Sequence, residues 1–256
     1  MKVERIAMNV QIENLNKEYI NSKKMKLHVL KDISINIDKD EFIAVMGRSG
    51  SGKSTFLKIL GGLEPITSGR IHFDGNDLGS MTQKQIDLHR GETIGFVFQD
   101  FGLIDALTIL ENVMLPLTMS KVDKQKAKME AEKIISYMEI SHLKDQYPNE
   151  ISGGEQQRVS ICRALVKQPG IILADEPTGN LDYHSSTIIL NLLADINKEQ
   201  KKPIIMVTHD SYSASFCDRV IIFHDGKNVK ELSRGNDQLD FENEIASEMR
   251  VQRQEG

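Results

Sequence analysis

The chain has 256 residues, of which 39% are hydrophobic and 27% charged, and its formal net charge is −5 at pH 7. This composition is that of an ordinary globular protein and excludes fibrous and intrinsically disordered classes. Acidic and basic residues are mixed along the chain, so no basic face predicts a nucleic-acid partner.

The sequence carries none of the usual marks of export or of a membrane span. Cys162 and Cys217 lie far apart outside any metal-ligand pattern, so we expect buried free thiols and a reducing compartment. The first ten residues, MKVERIAMNV, contain an acid and no apolar segment, which argues against a signal peptide. No apolar run is long enough to cross a bilayer. We therefore expect a cytosolic chain.

The first forty residues predict a small antiparallel sheet. Apolar and polar residues alternate in VQIENL (10–15) and in ISINID (33–38), and the polar stretch INSKKMK (20–26) separates them.

Four apolar runs of strand length then follow, with helical patterns between them. The runs are EFIAVM (41–46), TIGFVF (93–98), IILA (171–174) and PIIMVT (203–208). All four read as fully buried, which is typical of a mostly parallel sheet covered on both faces, so the predicted fold class is α/β.

Polar groups follow each of these runs. They are a glycine-rich loop from Gly47, then Gln99, then Asp175 with Glu176, then His209. In open α/β sheets the ligand binds outside the carboxyl ends of the strands, so we expect the four groups to converge on one site.

The stretch GRSGSGKS (47–54) fits the phosphate-loop pattern GxxxxGK[ST], between a strand and a helical pattern. Glycines let successive backbone N–H groups point at phosphate oxygens. Lys53 is predicted to reach the β- and γ-phosphates, and Ser54 to ligate Mg²⁺. The predicted nucleotide-binding residues here are Gly47, Arg48, Ser49, Gly50, Ser51, Gly52, Lys53, Ser54 and Thr55.

Strand patterns are missing between about 100 and 165. An apolar stripe at helical spacing runs through a charged segment and consists of Ala127, Ala131, Ile134, Ile135 and Met138. We predict a helical subdomain over about 100–165, inserted in a main domain that spans 1–233.

The stretch ISGGEQQR (151–158) places two glycines where a helix should begin. Ser152 and Glu155 have the spacing of a capping box, in which each side chain bonds the other residue's backbone N–H. Capping does not explain Gly153 and Gly154, each of which costs up to about 1 kcal/mol relative to Ala in a helix. Bare N–H groups at a positive helix end would form a second anion site.

The stretch IILADEP (171–177) predicts the other half of the phosphate-loop site. A buried strand would hold Asp175 near the metal, and Glu176 could polarise an attacking water. This favours phosphoanhydride hydrolysis, with a P-loop kinase as an alternative for which no acceptor site is indicated. The charged tail, 234–256, has a weak amphipathic patch at Ile245 and Met249 and is predicted to be a short helix or disordered.

Taken in order, these stretches resemble the motifs of the ATP-binding cassette ATPases. ISGGEQQR is similar to the family signature LSGGQ followed by QR, with Glu155 in place of Gln. The remaining matches are Walker A at 47–54, the Q-loop at Gln99, Walker B through Asp175 and Glu176, the D-loop GNLD (179–182), the switch His209, and Tyr19 for the residue that stacks on adenine. The resemblance covers about residues 8–233 and implies a RecA-like P-loop core.

The resemblance also implies ATP and Mg²⁺ as cofactors and a head-to-tail dimer with a second copy of the chain. Each signature helix would cap the γ-phosphate held by the other copy through Ser152, Gly153, Gly154 and Glu155. By the same resemblance, Lys53, Glu176 and His209 are the catalytic residues, and Ser54, Gln99 and Asp175 belong to the metal site. Asp182 would cross the dimer interface.

A membrane permease is the partner that the resemblance implies, docked near the apolar segment 101–117 and placing the chain at the cytoplasmic face of the membrane. Within the family, the chain is similar to ATPases of lipoprotein release and macrolide export, and more narrowly to bacitracin and antimicrobial-peptide resistance transporters. The alternatives are a lipoprotein or macrolide exporter, and a regulator that acts on a membrane sensor or cell-wall enzyme without moving cargo. Cassette ATPases of DNA repair carry insertions for which this chain has no room.

Overall fold

A computed structural model describes residues 8–20, 22 and 24–254, which form ten β-strands and eight α-helices. Residues 1–7, from which the signal-peptide prediction starts, lie outside the described residues, as do residues 21 and 23 of the predicted polar loop and residues 255–256 of the tail. The strands are β1 (Val10–Ile20), β2 (Lys26–Ile37), β3 (Phe42–Gly47), β4 (Ser68–Phe73), β5 (Asn76–Asp77), β6 (Ile94–Val97), β7 (Ile171–Asp175), β8 (Ile204–Val207), β9 (Arg219–His224) and β10 (Lys227–Ser233). The helices are α1 (Lys53–Leu60), α2 (Gln83–Thr93), α3 (Ile109–Met119), α4 (Lys124–Tyr137), α5 (Gly153–Leu165), α6 (Tyr183–Gln200), α7 (Ser211–Ala214) and α8 (Gln238–Gln254).

The strands form two sheets, and this confirms the predicted α/β class with a separate antiparallel sheet. The order in the first sheet is β2-β1-β4-β5, and all of its pairs are antiparallel. The order in the second is β10-β9-β3-β8-β7-β6, with parallel pairing from β9 to β6. β1 and β2 are longer than the alternating stretches predicted, because their polar ends continue the pairing as far as Ile20 and Lys26.

The six-stranded sheet separates two apolar cores. In β3, Ala44 and Met46 face the core that holds α5, α6 and α8, whereas Ile43 and Val45 face the core shared with α1 and the antiparallel sheet. This two-sided burial accounts for the continuous apolar runs of β3, β7 and β8. The strand β6 departs from the expected full burial, since it lies at the sheet edge and leaves Phe96 only half-buried.

The segment between β6 and β7 is helical, as its periodicity predicts. It contains α3, α4 and α5, and the start of α4 is capped by the Asp123 carboxylate, which accepts from the N–H groups of Gln125 and Lys126. Four of the five stripe residues are buried against the core, and the fifth is partly buried; the buried ones are Ala127, Ala131, Ile135 and Met138.

The tail forms one helix of 17 residues, α8, which is longer than the short helix expected. Its amphipathic patch extends to Phe241, so that Phe241, Ile245 and Met249 are all buried in the core on the α5–α6 side of the sheet. Cys162 and Cys217 are free and buried, and burial raises the pKa of both thiols. Across the described ranges, no helix combines the length and apolar character that a membrane span requires.

Candidate functional site

A cavity of about 750 Å³ lies at the carboxyl ends of the parallel strands. It brings together three of the four polar groups that follow the apolar runs, since the phosphate loop follows β3, Glu176 follows β7 and His209 follows β8. These strands are neighbours in the sheet, which explains why residues so far apart in sequence meet. The lining residues are Leu27, Val29, Gly47, Arg48, Ser49, Gly50, Gly52, Lys53, Ser54, Thr55, Glu176, His209 and Met249.

The phosphate loop is held in shape by close backbone contacts. Gly47 has φ 149°, and a Cβ there would lie 2.3 Å from the carbonyl oxygen of Phe223, so no other residue fits. The Lys53 ammonium lies inside the loop and donates to the carbonyls of Gly47 (2.8 Å) and Arg48 (2.9 Å). Helix α1 starts at Lys53, so its unpaired N–H groups face the cavity.

The site is built for an anion. Burial lowers the pKa of Lys53, and the carboxylates of Glu176 and Asp175 oppose that shift. The hydroxyl of Ser51 is buried in the loop and has no hydrogen-bond partner among the described residues. A bound triphosphate would supply acceptors for both groups.

Ser54 and Asp175 form the part of the site that fits Mg²⁺. The Ser54 hydroxyl donates to a carboxylate oxygen of Asp175 at 3.4 Å. Burial raises the pKa of Asp175, and so does the neighbouring Glu176 carboxylate, while the bond from Ser54 lowers it. Mg²⁺ is usually held in proteins by one or two such oxygens, with water and substrate phosphate completing its shell, so this donor set fits the metal.

Glu176 and His209 lie close together in the lining of the cavity. The imidazole Nδ1 of His209 lies 3.1 Å from a carboxylate oxygen of Glu176. Glu176 has φ 45°, a left-handed conformation that costs a non-glycine residue on the order of 1–3 kcal/mol. Its N–H donates to the carbonyl of Val207 and its own carbonyl accepts from Gly179, so backbone bonds hold the strained residue in place.

The signature stretch forms the predicted capping box at the start of α5. The N–H and hydroxyl of Ser152 donate to a carboxylate oxygen of Glu155 at 2.8 and 2.7 Å, and the Glu155 N–H faces the Ser152 hydroxyl at 3.4 Å. These donated bonds, led by that of the hydroxyl, lower the pKa of Glu155.

Packing within the chain does not account for the two glycines. A Cβ at Gly153 would make ordinary contacts at 3.4 Å or more, and one at Gly154 would meet only the side chain of Ser185, at 3.3 Å. Ser152, Gly154 and Glu155 line a smaller cavity of about 250 Å³. Among the described residues, no residue lines both this cavity and the phosphate-loop cavity.

Ser51 and Asp175 lie just outside the lining of the main cavity, and Gln99, Asp182 and Tyr19 are also outside it. Gln99 packs against the D-loop, where its carbonyl accepts from Asn180 at 2.9 Å. Asp182 caps α6 by accepting from the N–H and hydroxyl of Ser185. Tyr19 lies opposite Leu27 in the β1–β2 pair, so the two side chains share a face beside the cavity, and the Lys17 ammonium lies 4.6 Å from the Tyr19 ring centroid.

The sequence did not reveal three apolar residues of the cavity wall: Leu27, Val29 and Met249. The amphipathic patch of the tail includes Met249, but its destination depends on how α8 packs. A second unpredicted feature is the Arg163 guanidinium, which donates to the carbonyls of Phe101 and Gly102 just after Gln99. Arginine at a helix end gives no sequence signal for such a contact.

Comparison with known proteins decides the family, because the sequence model described as "ABC transporter" matches residues 30–179. The chain belongs to the ABC transporter family. This confirms the resemblance read from the motifs, and the enzymatic activity of the chain is that of an ABC-type ATPase.

Two relatives of this ABC protein belong to groups that the motifs indicated. It is 40% identical over 228 residues to the bacitracin export ATP-binding protein BceA of Halalkalibacterium halodurans, covering 89% of this chain and 90% of the relative. It is also 40% identical to the macrolide export ATP-binding/permease protein MacB of Mannheimia succiniciproducens, covering 88% of this chain but 35% of that longer protein.

Comparison with a solved structure supports the same fold. A dimeric structure of a post-hydrolysis state of the ATP-binding cassette MJ0796, bound to ADP and Pi, aligns with a TM-score of 0.80 and 38% identity. The alignment covers 88% of this ABC chain and 99% of the other. The P-loop core predicted for the chain is therefore confirmed.

Proposed function

We propose that two copies of this chain bind two ATP molecules head to tail, and that hydrolysis at this double site drives a membrane permease which confers resistance to an antimicrobial peptide of the bacitracin type. The observation that carries the dimer is the separation of the two half-sites. The phosphate loop lines one cavity of the chain, whereas Ser152, Gly154 and Glu155 of the signature stretch line another. A triphosphate enclosed by both needs the signature helix of a second copy.

Within each site we assign roles from the contacts described above. Lys53 and the N–H groups of the loop and of α1 hold the phosphates, and Ser54 with Asp175 would hold Mg²⁺. The metal would neutralise phosphate charge when bound. The partner's Ser152, Gly153, Gly154 and Glu155 would close the site. Tyr19, next to Leu27 at the rim, would carry the base.

The Glu176 carboxylate is the proposed general base for the attacking water. The His209 imidazole lies 3.1 Å from this carboxylate, beside the place proposed for the γ-phosphate. The His209 side chain is 67% exposed in the single chain. A second copy that closed this half-site would cover the exposed imidazole. His209 would then contact the γ-phosphate.

The proposed permease contact lies on the helical segment beside Gln99. A cavity of about 400 Å³ opens there between the sheet edge and the helices α3 and α5, with apolar walls from Phe96, Phe98, Leu115 and Pro116 and cationic rims at Arg163 and Lys167. A helix of a membrane partner fits such a groove. This contact would place the chain at the cytoplasmic face of the membrane.

A trapping experiment tests the dimer and the site together. We expect Glu176→Gln to bind ATP with Mg²⁺ and to run as a dimer in sedimentation, because binding persists while hydrolysis is slowed. Lys53→Ala should remain monomeric at the same ATP concentration, and Lys84→Ala, which removes an exposed lysine of α2, should behave like the unsubstituted chain. A Glu176→Gln chain that stays monomeric with saturating ATP would contradict the head-to-tail site.

The peptide is proposed from the similarity to BceA, whereas MacB supports macrolides as a second candidate. The test is to express the chain in a sensitive host together with a candidate multi-span membrane partner. Bacitracin resistance that Glu176→Gln abolishes supports the first proposal. A rise in macrolide resistance alone supports the second. Resistance without peptide movement in membrane vesicles would favour the regulatory alternative.

A further inference from the structure

Helix α8 reaches the nucleotide cavity at its carboxyl-terminal end. Met249 is 9% exposed and lines the same cavity as the phosphate loop, Glu176 and His209. The helix starts far from this point, since Gln238 lies eleven residues earlier, or about 16 Å along the axis at 1.5 Å per residue. The helix therefore connects the cavity to a distant part of the fold.

Several contacts fix α8 in this position. Phe241, Ile245 and Met249 recur every four residues and form one buried face. At the start of the helix, the Gln238 amide donates to the Ser215 hydroxyl at 3.0 Å. Near the cavity, the Glu248 carboxylate pairs with Lys230 of β10. Both ends are therefore tied to the core.

The start of α8 rests on the short helix that follows His209. Ser215 ends α7, and Asp210, next to His209, caps its beginning by accepting from the N–H and hydroxyl of Ser213. The Ser213 hydroxyl also lies 3.1 Å from that of Thr178, two residues after Glu176. The start of α8 is therefore linked, through Ser215 and α7, to the segment that follows His209.

The chemistry of the wall indicates what Met249 does there. Among the described residues lining the cavity, the large apolar side chains are Leu27, Val29 and Met249. A nucleotide presents polar phosphates and an aromatic base, and the phosphate loop accounts for the phosphates alone. The thioether of methionine is flexible and polarisable, and it packs well against aromatic rings.

We infer that α8 is a wall of the ATP site and that Met249 is a positioning residue, whose side chain packs against the bound nucleotide so that ATP binding and the docking of α8 stabilise each other. By linkage, ATP strengthens the docking of the helix by the same factor by which the docked helix strengthens ATP binding. The inference rests on the proposed function, because it requires ATP in this cavity.

The test compares three substitutions on α8 in the full chain, each in the Glu176→Gln background so that ATP survives the titration. Met249→Ala should raise the Kd for ATP with Mg²⁺ by about five- to tenfold, as expected for the loss of one buried apolar contact. Met249→Leu should restore binding to within about twofold. Val251→Ala removes an apolar side chain that is 44% exposed on the same helix and should leave the Kd unchanged.

Two further measurements separate positioning from a purely structural role. With Glu176 intact, Met249→Ala should raise KM and leave kcat nearly unchanged. In hydrogen exchange, ATP should slow the exchange of the amides of residues 241–252 in the unsubstituted chain, and less so in Met249→Ala.

The outcomes also separate this inference from the proposed function. If Met249→Ala only lowers the melting temperature and binds ATP normally, while Lys53→Ala loses binding, the role of α8 is wrong and the ATP site stands. Unchanged exchange in α8 on adding ATP would likewise overturn the linkage. If the unsubstituted chain bound no ATP, both would fall.

Discussion

The imidazole Nδ1 of His209 lies 3.1 Å from a carboxylate oxygen of Glu176, and the two residues come from loops that follow the neighbouring strands β8 and β7. The strained backbone of Glu176 is held by the bond from its N–H to the Val207 carbonyl. Backbone bonds thus fix the carboxylate at the end of β7, as a catalytic group requires.

Replacing Glu176 by Gln should lower the rate of phosphate release by about 10²- to 10⁴-fold, because an amide cannot take a proton from water. The Kd for ATP should change little, since Lys53 and the loop amides are untouched. Phosphate release and equilibrium binding measure the two effects. The matched control is Glu13→Gln, the same change at an exposed carboxylate of β1. Full turnover in Glu176→Gln would exclude it as the base.

The double substitution Gly153→Ala and Gly154→Ala should leave the fold as stable as before, or more stable by up to about 1 kcal/mol per site, because alanine favours the helix and each added Cβ meets few atoms. We expect ATPase activity to fall more than about tenfold, since the methyl groups would lie where a second copy presents its triphosphate. Thermal unfolding and phosphate release are the measurements. Unchanged activity would contradict the role of these glycines.

Replacing Glu155 by Gln should keep the ATPase rate to within about tenfold. The chain itself shows that glutamine suits this position of a capping box, because Gln85 bonds Thr82 in the same way at the start of α2. Only the charge is lost, and its interaction with the helix dipole is worth about 0.3–1 kcal/mol. A larger loss of activity would mean that the carboxylate itself acts in the site.

The free energy of unfolding of the unsubstituted chain, relative to that of the Glu155→Gln variant, should decrease as the pH falls. The bonds from Ser152 lower the pKa of Glu155, so its carboxylate stabilises the fold above the unfolded pKa of about 4.3 and loses this effect as pH falls through the lower folded pKa. Urea unfolding of both proteins at pH 7 and below pH 4 measures this. Thr82→Ala, which breaks the uncharged capping box with Gln85 in α2, is the control for capping alone.

Substituting Arg163 should loosen the loop after Gln99. Arg163 donates to the carbonyls of Phe101 and Gly102, which have φ 61° and 58°. Arg163→Met leaves these carbonyls unpaired, and we expect a loss of about 1.5–3 kcal/mol. Lysine cannot donate with the same fork, so Arg163→Lys should recover only part of it. Urea unfolding and amide exchange over 99–104 measure both changes, and Lys167→Met, nearby, should have little effect.

Much of the site could be predicted because its functional residues lie in short sequence motifs. The phosphate loop needs its glycines and Lys53 in fixed order, and the capping box needs Ser152 and Glu155 three residues apart. Local backbone geometry sets these spacings, so a reader of the sequence can find them without knowing the fold. The buried strands also predict which ends carry the polar groups.

Packing alone decided which of these groups meet. The cavity wall joins Leu27 near one end of the chain to Met249 near the other, and Arg163 reaches a loop some sixty residues away. Apolar burial is not directional. An amphipathic stretch such as that of α8 therefore predicts that its apolar face will be buried, but not which part of the fold will bury it. The sequence by itself determined the parts of the ATP site, whereas only the tertiary structure placed α8 against it and the signature glycines away from it.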